Sequence, residues 1–445
     1  MPSFDTDTPA LLLRLDPNPF HHGTLGAVRS LGRTGIEVHV VAEAAHGPVG
    51  RCRYLHRVHA LPPGRTSHAE LERTLTRASD AIGRPAVLIA LDDRGAIAVA
   101  ELSTRLTGRY LLPAMPPQLP SQVADKAGLA ALCAGAGIPH PTTVAPGSAA
   151  EAAREAAVLG LPVVAKWSRP WLLPPGLRST TLVRTPSDAC ELYERSTQAG
   201  SQLLLQRCLP GGHGTDWFFH GYAAERGRFL LGGAGRKERS WPPRTGLTAV
   251  GTWLANPEVE AAAARLAAYV DYRGILDLDF RLDPETGSYH LLDFNPRPGA
   301  QFRLFTDDAG VDVVRAQHLH LTGRQVPAQL GGPGRVFVAE NYALLSAAVA
   351  GASRVRDRDR DRILVRARAG GRDGRVERAW FSAEDPAPFF AMAGTWFARC
   401  LRKSWQHLAM TVHTHGRVRV RSIRPGLPPE APSAPLSAPL VTSDQ

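Results

Sequence analysis

The stretch Gly274–Arg297, GILDLDFRLDPETGSYHLLDFNPR, contains two runs in which apolar and polar residues alternate. The runs cover Ile275–Leu282 and Tyr289–Asn295, and the residues between them, Asp283–Ser288, are of turn-forming types. Alternation with a period of two on both sides of such a turn predicts a β-hairpin. The positions of the acidic residues on this hairpin therefore determine which chemistry it can support.

Two aspartates of the predicted hairpin face each other. If the hairpin is centred near Thr286, Asp279 lies opposite Asp293, and facing residues have Cβ atoms about 4.5–5.5 Å apart. Asn295 then lies on the same face, and two carboxylates with one amide oxygen form a site suited to Mg²⁺. A register shift of one residue would separate the pair. The aspartates would then be ordinary solvent-side residues of an amphipathic hairpin.

The residues after the second run favour the metal site. Pro296 ends the strand and projects Arg297 from a rigid turn. The planar guanidinium of arginine can bind a phosphate or a carboxylate through two parallel hydrogen bonds. We therefore expect an anion-binding group beside the predicted carboxylates.

Lysine is scarce in this chain, since only four of its 52 basic residues are lysine. A remaining lysine is a stronger functional candidate where arginine predominates, because a compact ammonium acts as a point charge on phosphate. Lys126 opens a predicted helix, Lys166 ends an apolar strand, and Lys237 lies in a basic cluster with Arg239. Each lysine alone would be interpreted as a surface base. Three of four beside predicted phosphate positions indicate a shared site.

The first 120 residues alternate strand and helix patterns. Apolar runs at Ala10–Leu15 and Ala86–Ala90 predict buried strands, and Gly23–Arg33 and His68–Ala81 have helical patterns. This alternation predicts an α/β domain with a parallel sheet. Asp92-Asp93 follows a strand, at the edge where open α/β sheets bind ligands.

The middle region, from Ser121 to about residue 323, mixes helices and strands. Helices are predicted over Gln122–Ala136 and Pro186–Thr197, and strands over Pro162–Trp167 and Gln202–Leu209. In the third region, residues 324–423, an Arg/Asp alternation at residues 354–362 predicts a solvated loop and residues 386–405 predict an amphipathic helix. The Pro/Ala/Ser-rich residues 424–445 are predicted to be a disordered tail.

Composition excludes several classes of protein. No apolar stretch is long enough for a membrane helix, and the five cysteines are scattered, as in reduced cytoplasmic proteins. The net charge of +11 is spread along the chain with few interleaved aromatics, so we expect no nucleic-acid partner. The sixteen histidines show no metal-ligand spacing, and His21 and His22 are interpreted as loop residues that could also face a substrate cleft.

Residues from about 120 to 310 resemble an ATP-grasp domain, and residues 1–120 resemble the Rossmann-like domain that precedes it in such enzymes. The matching segments, in family order, are Asp125-Lys126, Pro162–Lys166, Gln206–Gly211, Gly235–Arg239 and Leu291–Arg297. The resemblance implies an α/β (α+β) ATP-grasp fold at 121–323, a lid subdomain at about 160–205, and a small C-terminal α+β region. The stretch Gly235–Gly246 most resembles D-aspartate ligase-like carboxylate–amine ligases.

The resemblance also implies a role for each matching residue. Lys126 and Lys166 would bind the α- and β-phosphates of ATP, and Gln206, Arg207, Cys208 and Leu209 would form the hinge against adenine. Asp279, Asp293 and Asn295 would hold Mg²⁺, or alternatively Mn²⁺. Lys237, Arg239 and Arg297 would neutralise the γ-phosphate and an acyl phosphate. Family members usually have glutamate where this chain has Asp279 and Asp293, and often have glutamate at the position of Arg207.

The resemblance implies an ATP-dependent ligase that joins a small-molecule carboxylate to an amine through an acyl phosphate, releasing ADP and phosphate. Two other classes stay open. One is a different ATP-grasp enzyme, of the carboxylase-like or phosphotransfer type, and the other is a non-catalytic ATP-binding scaffold. A cytoplasmic location is expected, without membrane insertion, and a homodimer is left open.

Overall fold

The computed structural model describes residues 2–399, apart from 44–46, 63, 65, 175, 226, 243–245, 330 and 353–375. Contacts divide the chain into two compact units, residues 1–393 and residues 394–445. The architecture below is that of the first unit. The Arg/Asp alternation at residues 354–362 and the tail at residues 424–445 lie outside the described residues.

The N-terminal sheet has five parallel strands in the order β3-β2-β1-β4-β5. Its elements are β1 (Ala10–Leu13), α1 (His22–Gly32), β2 (Val38–Ala42), β3 (Arg57–Ala60), α2 (His68–Ile82), β4 (Ala86–Ala90), α3 (Asp93–Glu101) and β5 (Tyr110–Leu111). Every residue of β1 is fully buried, as expected for a central parallel strand covered on both faces. A capping box of Ser67 and Glu70 begins α2, and Gly83 ends it with a φ of 75°. The predicted parallel α/β arrangement is confirmed.

A second sheet is antiparallel and has the strand order β6-β9-β7-β8. The elements of this region are α4 (Leu119–Ala124), α5 (Lys126–Gly135), β6 (Thr143–Val144), α6 (Ala149–Leu159), β7 (Val163–Trp167), β8 (Thr180–Val183), α7 (Pro186–Glu194), α8 (Ser196–Ala199) and β9 (Leu203–Arg207). The single helix predicted over Gln122–Ala136 is wrong, because Asp125 leaves the helical conformation with a ψ of 110° and caps α5. The helix predicted over Pro186–Thr197 is likewise divided into α7 and α8.

The third sheet has seven strands in the order β14-β13-β10-β11-β12-β15-β16, antiparallel except for the last pair. Its elements are β10 (Asp216–Glu225), β11 (Arg228–Trp241), β12 (Leu247–Trp253), α9 (Pro257–Tyr269), β13 (Gly274–Asp283), β14 (Ser288–Asn295), α10 (Val313–Leu321), β15 (Val336–Val338), α11 (Glu340–Ala352) and β16 (Val376–Arg378). Residues of α9, such as Leu266, pack with Leu276, Leu278 and Phe280 of β13 in one buried cluster. Residues 387–393, at the end of this unit, are helical. None of the helices among the described residues is long and apolar enough to cross a membrane.

In the hairpin of β13 and β14, Asp279 pairs with Asp293 as predicted, but a β-bulge produces this pairing. Near the turn, Asp283 pairs with Ser288 and Phe280 with Leu291, so the turn is centred between Glu285 and Thr286. That register alone would place Leu292 opposite Asp279. A β-bulge at this point shifts the register by one residue, and Asp279 pairs with Asp293. The predicted carboxylate pair is therefore confirmed, with the turn near Thr286 and with a β-bulge that was not predicted.

Candidate functional site

A cleft of about 700 Å³ is lined by residues of all three sheets. The N-terminal sheet contributes residues after β1 and β4, the second sheet contributes β7 and β9, and the third contributes β10, β11, β13 and β14. Small-molecule sites in proteins typically enclose about 300–1,000 Å³. The cleft therefore has the size and composite walls of a site for a small molecule.

Two lysines hold Asp293 at the wall of the cleft. Lys126 donates a short hydrogen bond to Asp293 Oδ1, and Lys166 Nζ lies 3.3 Å from the same oxygen. Lys166 also donates to the carbonyl oxygen of Leu292 at 3.0 Å. Burial would raise the pKa of Asp293, but the two ammonium groups outweigh burial and hold this pKa well below its ordinary value. Burial lowers the pKa of Lys166.

The two lysines reach one carboxylate because Asp125 connects their elements. The Asp125 carboxylate caps α5 at Ala127 N (3.0 Å) and accepts a hydrogen bond from Ser168 Oγ at 2.5 Å. Lys126 N donates to the carbonyl oxygen of Ser168 at 2.9 Å. The start of α5, which carries Lys126, is thereby attached to the end of β7, which carries Lys166.

Asp277 is a third carboxylate on the same face of β13, two residues before Asp279. Its Oδ2 accepts a hydrogen bond from Arg297 Nη1 at 2.7 Å, and its Oδ1 lies 3.0 Å from Nε2 of the fully buried His220. Burial works against the charged carboxylate, but His220 and Arg297 outweigh it and lower the pKa of Asp277 to about 2. Asn295 Nδ2 also donates to the Asp277 carbonyl oxygen at 3.2 Å. Asp277 is therefore an ionised carboxylate held beside Arg297 and His220.

Arg297 connects this shell to the N-terminal sheet. Its Nε lies 3.2 Å from Asp93 Oδ1, at the start of α3. Burial opposes the charged guanidinium, but Asp93 and Asp277 outweigh it and raise the pKa of Arg297. Gly299 permits this turn to approach, because a Cβ there would lie 2.0 Å from His220 Cε1. Asp92 and Asp93 both line the cleft as predicted, and Asp92 also caps α3 and accepts hydrogen bonds from the backbone of Leu15 and Asp16.

Asp279 differs from the other two carboxylates. Among the described residues it accepts no hydrogen bond, and the cation nearest to it is Lys237, whose Nζ lies 3.6 Å from Oδ1. Its side chain is 30% exposed, and that exposed part faces the cleft. Burial raises the pKa of Asp279, and the like charges of Asp277 and Asp293 add to the increase. Among the described residues Asp279 is therefore held less closely than Asp277 or Asp293, by the Lys237 ammonium without a hydrogen bond.

The donor set on this face fits a magnesium ion. Mg²⁺ prefers carboxylate oxygens, together with waters and phosphate oxygens of a substrate. Three carboxylates share the face, and Asp279 has free coordination capacity. Asn295 uses its Nδ2 on Asp277, which leaves its amide oxygen available. The predicted set of Asp279, Asp293 and Asn295 is brought together, with Asp277 beside it.

The predicted hinge residues lie at the end of β9. Gln206, Arg207 and Leu209 line the cleft, whereas Cys208 does not. The Gln206 side chain is buried and donates to Thr143 Oγ1 at 3.0 Å. The Arg207 side chain turns to the hairpin and donates to Glu285 Oε2 at 2.8 Å. The hinge is thus held to β6 on one side and to the hairpin turn on the other.

The basic cluster of β11 is split by an irregularity. Lys237 pairs with Gly251 of β12, Arg239 pairs with Val250, and the register shifts between them at Glu238. Lys237 lines the cleft, but Arg239 is not one of the lining residues. Glu238 instead binds Arg236, whose Nε donates to Glu238 Oε1 at 3.0 Å. Residues 243–245, within the stretch Gly235–Gly246 that resembles D-aspartate ligase-like enzymes, lie outside the described residues.

The interpretation of His21 and His22 as loop residues is wrong for His22, whereas His21 lies just before a helix. His21 is the N-cap of α1, where its Nδ1 accepts a hydrogen bond from Thr24 N at 3.1 Å, and His22 is the first residue of the helix. Both line the cleft. Burial, followed by the charges of Arg14, His22 and Arg297, holds the pKa of His21 well below its ordinary value. The cleft wall on this side therefore carries neutral imidazoles.

Two buried groups of the site, Asp277 and His220, were missed by the sequence reasoning. Asp277 had a local signal, because the alternation in residues 276–280 places it on the same face as Asp279. His220 had none, because its position follows from the pairing of β10 with β13, more than fifty residues further along the chain.

No family model and no curated protein matches the sequence, but solved structures match its fold. Carboxyaminoimidazole ribonucleotide synthase from Aspergillus clavatus complexed with ATP matches at 14% identity and a TM-score of 0.57, over 78% of this chain and 87% of that chain. An L-amino acid ligase from Bacillus licheniformis matches at 13% identity and a TM-score of 0.55, over 74% and 79%.

The biotin carboxylase domain of 2-oxoglutarate carboxylase from Hydrogenobacter thermophilus, in complex with MgADP and bicarbonate, matches at 17% identity and a TM-score of 0.52, over 72% and 71%. Identities this low establish a likeness of fold. The fold class predicted from the sequence, an ATP-grasp fold that follows a parallel α/β domain, is confirmed.

Proposed function

We propose that the chain is an ATP- and Mg²⁺-dependent ligase that converts a substrate carboxylate to an acyl phosphate and joins it to an amine. One observation carries the proposal. One face of the hairpin carries Asp293, Asp277 and Asp279, which pair with the cations Lys126, Lys166, Arg297 and Lys237, and all of these residues except Lys126 line the cleft. These charges come from segments far apart in sequence, so the fold has assembled them.

The alternation of charges suits a triphosphate. Phosphoryl transfer depends mostly on positioning and on charge neutralisation. Lys166, Lys237 and Arg297 line the cleft, and Lys126 lies beside it on Asp293. Lys126 and Lys166 would move from Asp293 to the α- and β-phosphates of ATP. The hinge from Gln206 to Leu209 would hold adenine against its backbone. Asp279 and Asp293, with the amide oxygen of Asn295, would hold Mg²⁺, which when bound neutralises charge between the phosphates.

The reaction would proceed in two balanced steps. A carboxylate oxygen of the substrate attacks the γ-phosphorus, the bond from that phosphorus to the β,γ-bridging oxygen breaks, and ADP leaves. The amine nitrogen then attacks the acyl carbon, phosphate leaves with the electron pair of the C–O bond, and the ammonium loses a proton. Lys237 and Arg297 would stabilise the charge that develops on the phosphoryl and acyl oxygens. Asp277 and Asp93 orient Arg297 for this role.

The resemblance of Gly235–Gly246 to D-aspartate ligase-like enzymes supports an amino-acid substrate. A carboxylase-like reaction is the second candidate, because two of the matching solved structures are of a carboxylase domain and a carboxyaminoimidazole synthase. In that reaction bicarbonate would replace the organic carboxylate in the first step. The two candidates share the phosphoryl transfer and differ in the acceptor.

The test is ADP release by the purified full chain with Mg·ATP, with amino-acid pairs in one series and bicarbonate with an amine in another. Hydroxylamine traps an acyl phosphate as a hydroxamate, so the proposal expects hydroxamate and ADP in equal amounts when the right carboxylate is present. ADP release that depends on bicarbonate would support the carboxylase-like reaction instead. A chain that binds Mg·ATP without turnover would indicate the scaffold, and one that ignores Mg·ATP would refute all three.

A further inference from the structure

Three histidines and a glutamate converge at the β2–β3 edge of the N-terminal sheet, and none of them lines the cleft. Glu37 precedes β2, His39 lies in β2, His56 precedes β3, and His59 lies in β3. Their sequence spacing shows no metal-ligand pattern. The parallel pairing of β2 with β3 brings them together, with Val41 directly opposite His59. The cluster is therefore formed by the strand pairing and not by a local sequence motif.

The distances are those of a ligand set. Glu37 Oε1 lies 2.7 Å from His39 Nε2 and 3.7 Å from His56 Nε2. All three ligand atoms lie within 4.8 Å of one another. Bonds of about 2.0–2.1 Å in a tetrahedral zinc site separate the ligand atoms by roughly 3.3 Å. Small side-chain rotations would bring the three atoms onto one ion.

Neighbouring groups already orient two of the ligands. Arg84 Nη2 lies 2.8 Å from Glu37 Oε2, which leaves Oε1 directed at the histidines. His59 Nε2 lies 3.0 Å from His39 Nδ1, so the second nitrogen of His39 has a hydrogen-bond partner. Metal-binding histidines usually have such a partner on their other ring nitrogen, and it fixes the orientation of the ring. His39 is buried, whereas the side chain of His56 is 59% exposed and gives an ion access.

We propose that Glu37, His39 and His56 form a binding site for Zn²⁺ or a similar borderline divalent cation. Glu37 Oε1, His39 Nε2 and His56 Nε2 would be the protein ligands, and water would take a fourth position. Two imidazoles and one carboxylate suit zinc better than magnesium, which prefers oxygen ligands. The ion would tie the edge strand β3 and the residues before it to β2. The proposal is independent of the reaction in the cleft.

The experiment is titration of the full chain, in chelator-treated form, with Zn²⁺ by calorimetry, and with Co²⁺ by visible absorption. The proposal expects one site whose zinc dissociation constant rises at least about tenfold in His56→Ala and in Glu37→Gln. His56 is mostly exposed, so its variant should keep the fold. Zinc should also raise the thermal unfolding temperature of the unmodified chain, because a ligand bound only to the folded state stabilises it.

The control is His68→Ala. His68 Nε2 lies 3.1 Å from Glu101 Oε2, and its side chain is 61% exposed, so it forms a comparable surface pair without a second histidine ligand. Its removal should leave zinc affinity unchanged. The cleft carboxylates could also take a divalent ion, and the difference between the unmodified chain and His56→Ala isolates this site from them. Equal zinc affinity in both, or binding only at millimolar zinc, would overturn the proposal.

Discussion

Charged groups are buried both at the cleft and at the junction between α1 and residues 380–385. The two places differ in how many hydrogen bonds these groups accept or donate. At the junction, Arg29 and Asp385 are 0% and 2% exposed. Arg29 donates to Asp385 Oδ2 at 2.9 Å, to the Trp380 carbonyl oxygen at 2.7 Å and to the Asp385 carbonyl oxygen at 2.6 Å. Cys52 Sγ and Arg53 N supply further donors to the Asp385 carboxylate, each at 3.0 Å.

The carboxylate of Asp279 in the cleft has no such set of donors. Its one nearby cation lies 3.6 Å away, and its exposed part faces a large cavity. A buried charge with every hydrogen-bonding position occupied stabilises one arrangement of the chain. A buried charge with open positions beside a cavity has capacity for a ligand, and such perturbed groups concentrate at functional sites. The difference separates a structural ion pair from a binding site.

Breaking the junction should have the largest effect on stability. Arg29→Met leaves Asp385 buried without its cation, and the loss of one partner of a buried pair typically costs about 3–5 kcal/mol. Urea unfolding of the unmodified chain and of Arg29→Met measures this change in the free energy of unfolding. Arg33→Met is the matched control, because Arg33 and its partner Glu384 are 26% and 62% exposed and should contribute less than about 1 kcal/mol. Equal effects of the two variants would show that the junction is not a structural pair.

Removing the charge of Asp279 should lower turnover without destabilising the fold. Asp279→Asn keeps the shape and removes the charge, and we expect kcat/KM to fall about 100- to 1,000-fold, or roughly 3–4 kcal/mol. Burial raises the pKa of Asp279, so its ionised form is disfavoured in the folded chain. The variant should therefore unfold at the same or a higher urea concentration.

The control for this variant is Asp80→Asn on the protein surface, where Asp80 is 62% exposed and pairs with Arg109. Asp80→Asn should change neither kcat/KM nor the urea concentration at which the chain unfolds. Destabilisation by Asp279→Asn without loss of ADP release would place Asp279 with the structural pairs.

The contrast also shows what could be predicted from the sequence. The hairpin and the scarce lysines carry local signals, so the pairing of Asp279 with Asp293 and the approach of Lys126 and Lys166 to it were foreseen. The bulge at Leu292 was not foreseen, because a hairpin centred on Thr286 gives the same pairing of Asp279 with Asp293 without a bulge. The Arg29–Asp385 pair joins positions 356 residues apart. No local pattern indicates such a contact, since it depends on how whole elements pack.

The buried imidazole of His22 should make stability depend on pH. Burial lowers the pKa of His22 from 6.5 to about 4, and its ring packs near Phe337, Tyr342 and Trp380. Between these two pH values the unfolded chain binds a proton that the folded chain does not, so stability falls as pH decreases from 6.5 to 4. The contribution of His22 is roughly 3 kcal/mol.

Unfolding in urea at several pH values measures this dependence. His22→Phe should reduce the loss of stability between pH 6.5 and pH 4. The exposed His68 provides the control, because His68→Phe should leave the dependence of the unfolding free energy on pH unchanged. An unaltered slope in His22→Phe would mean that the imidazole is protonated in the folded chain.

The smallest effect on turnover and stability is expected at Arg207, which lines the cleft but forms ion pairs with two carboxylates of the hairpin turn. Its Nη2 donates to Glu285 Oε2, and its Nη1 lies 3.6 Å from Asp283 Oδ2. Arg207 is 37% exposed and Glu285 is 64% exposed, so water screens this pair and Arg207→Ala should reduce stability by about 1 kcal/mol or less. The proposed contact with adenine uses the backbone of the hinge, which the variant retains. The KM for ATP should therefore change less than about threefold, and a tenfold increase would mean that the guanidinium itself binds the nucleotide.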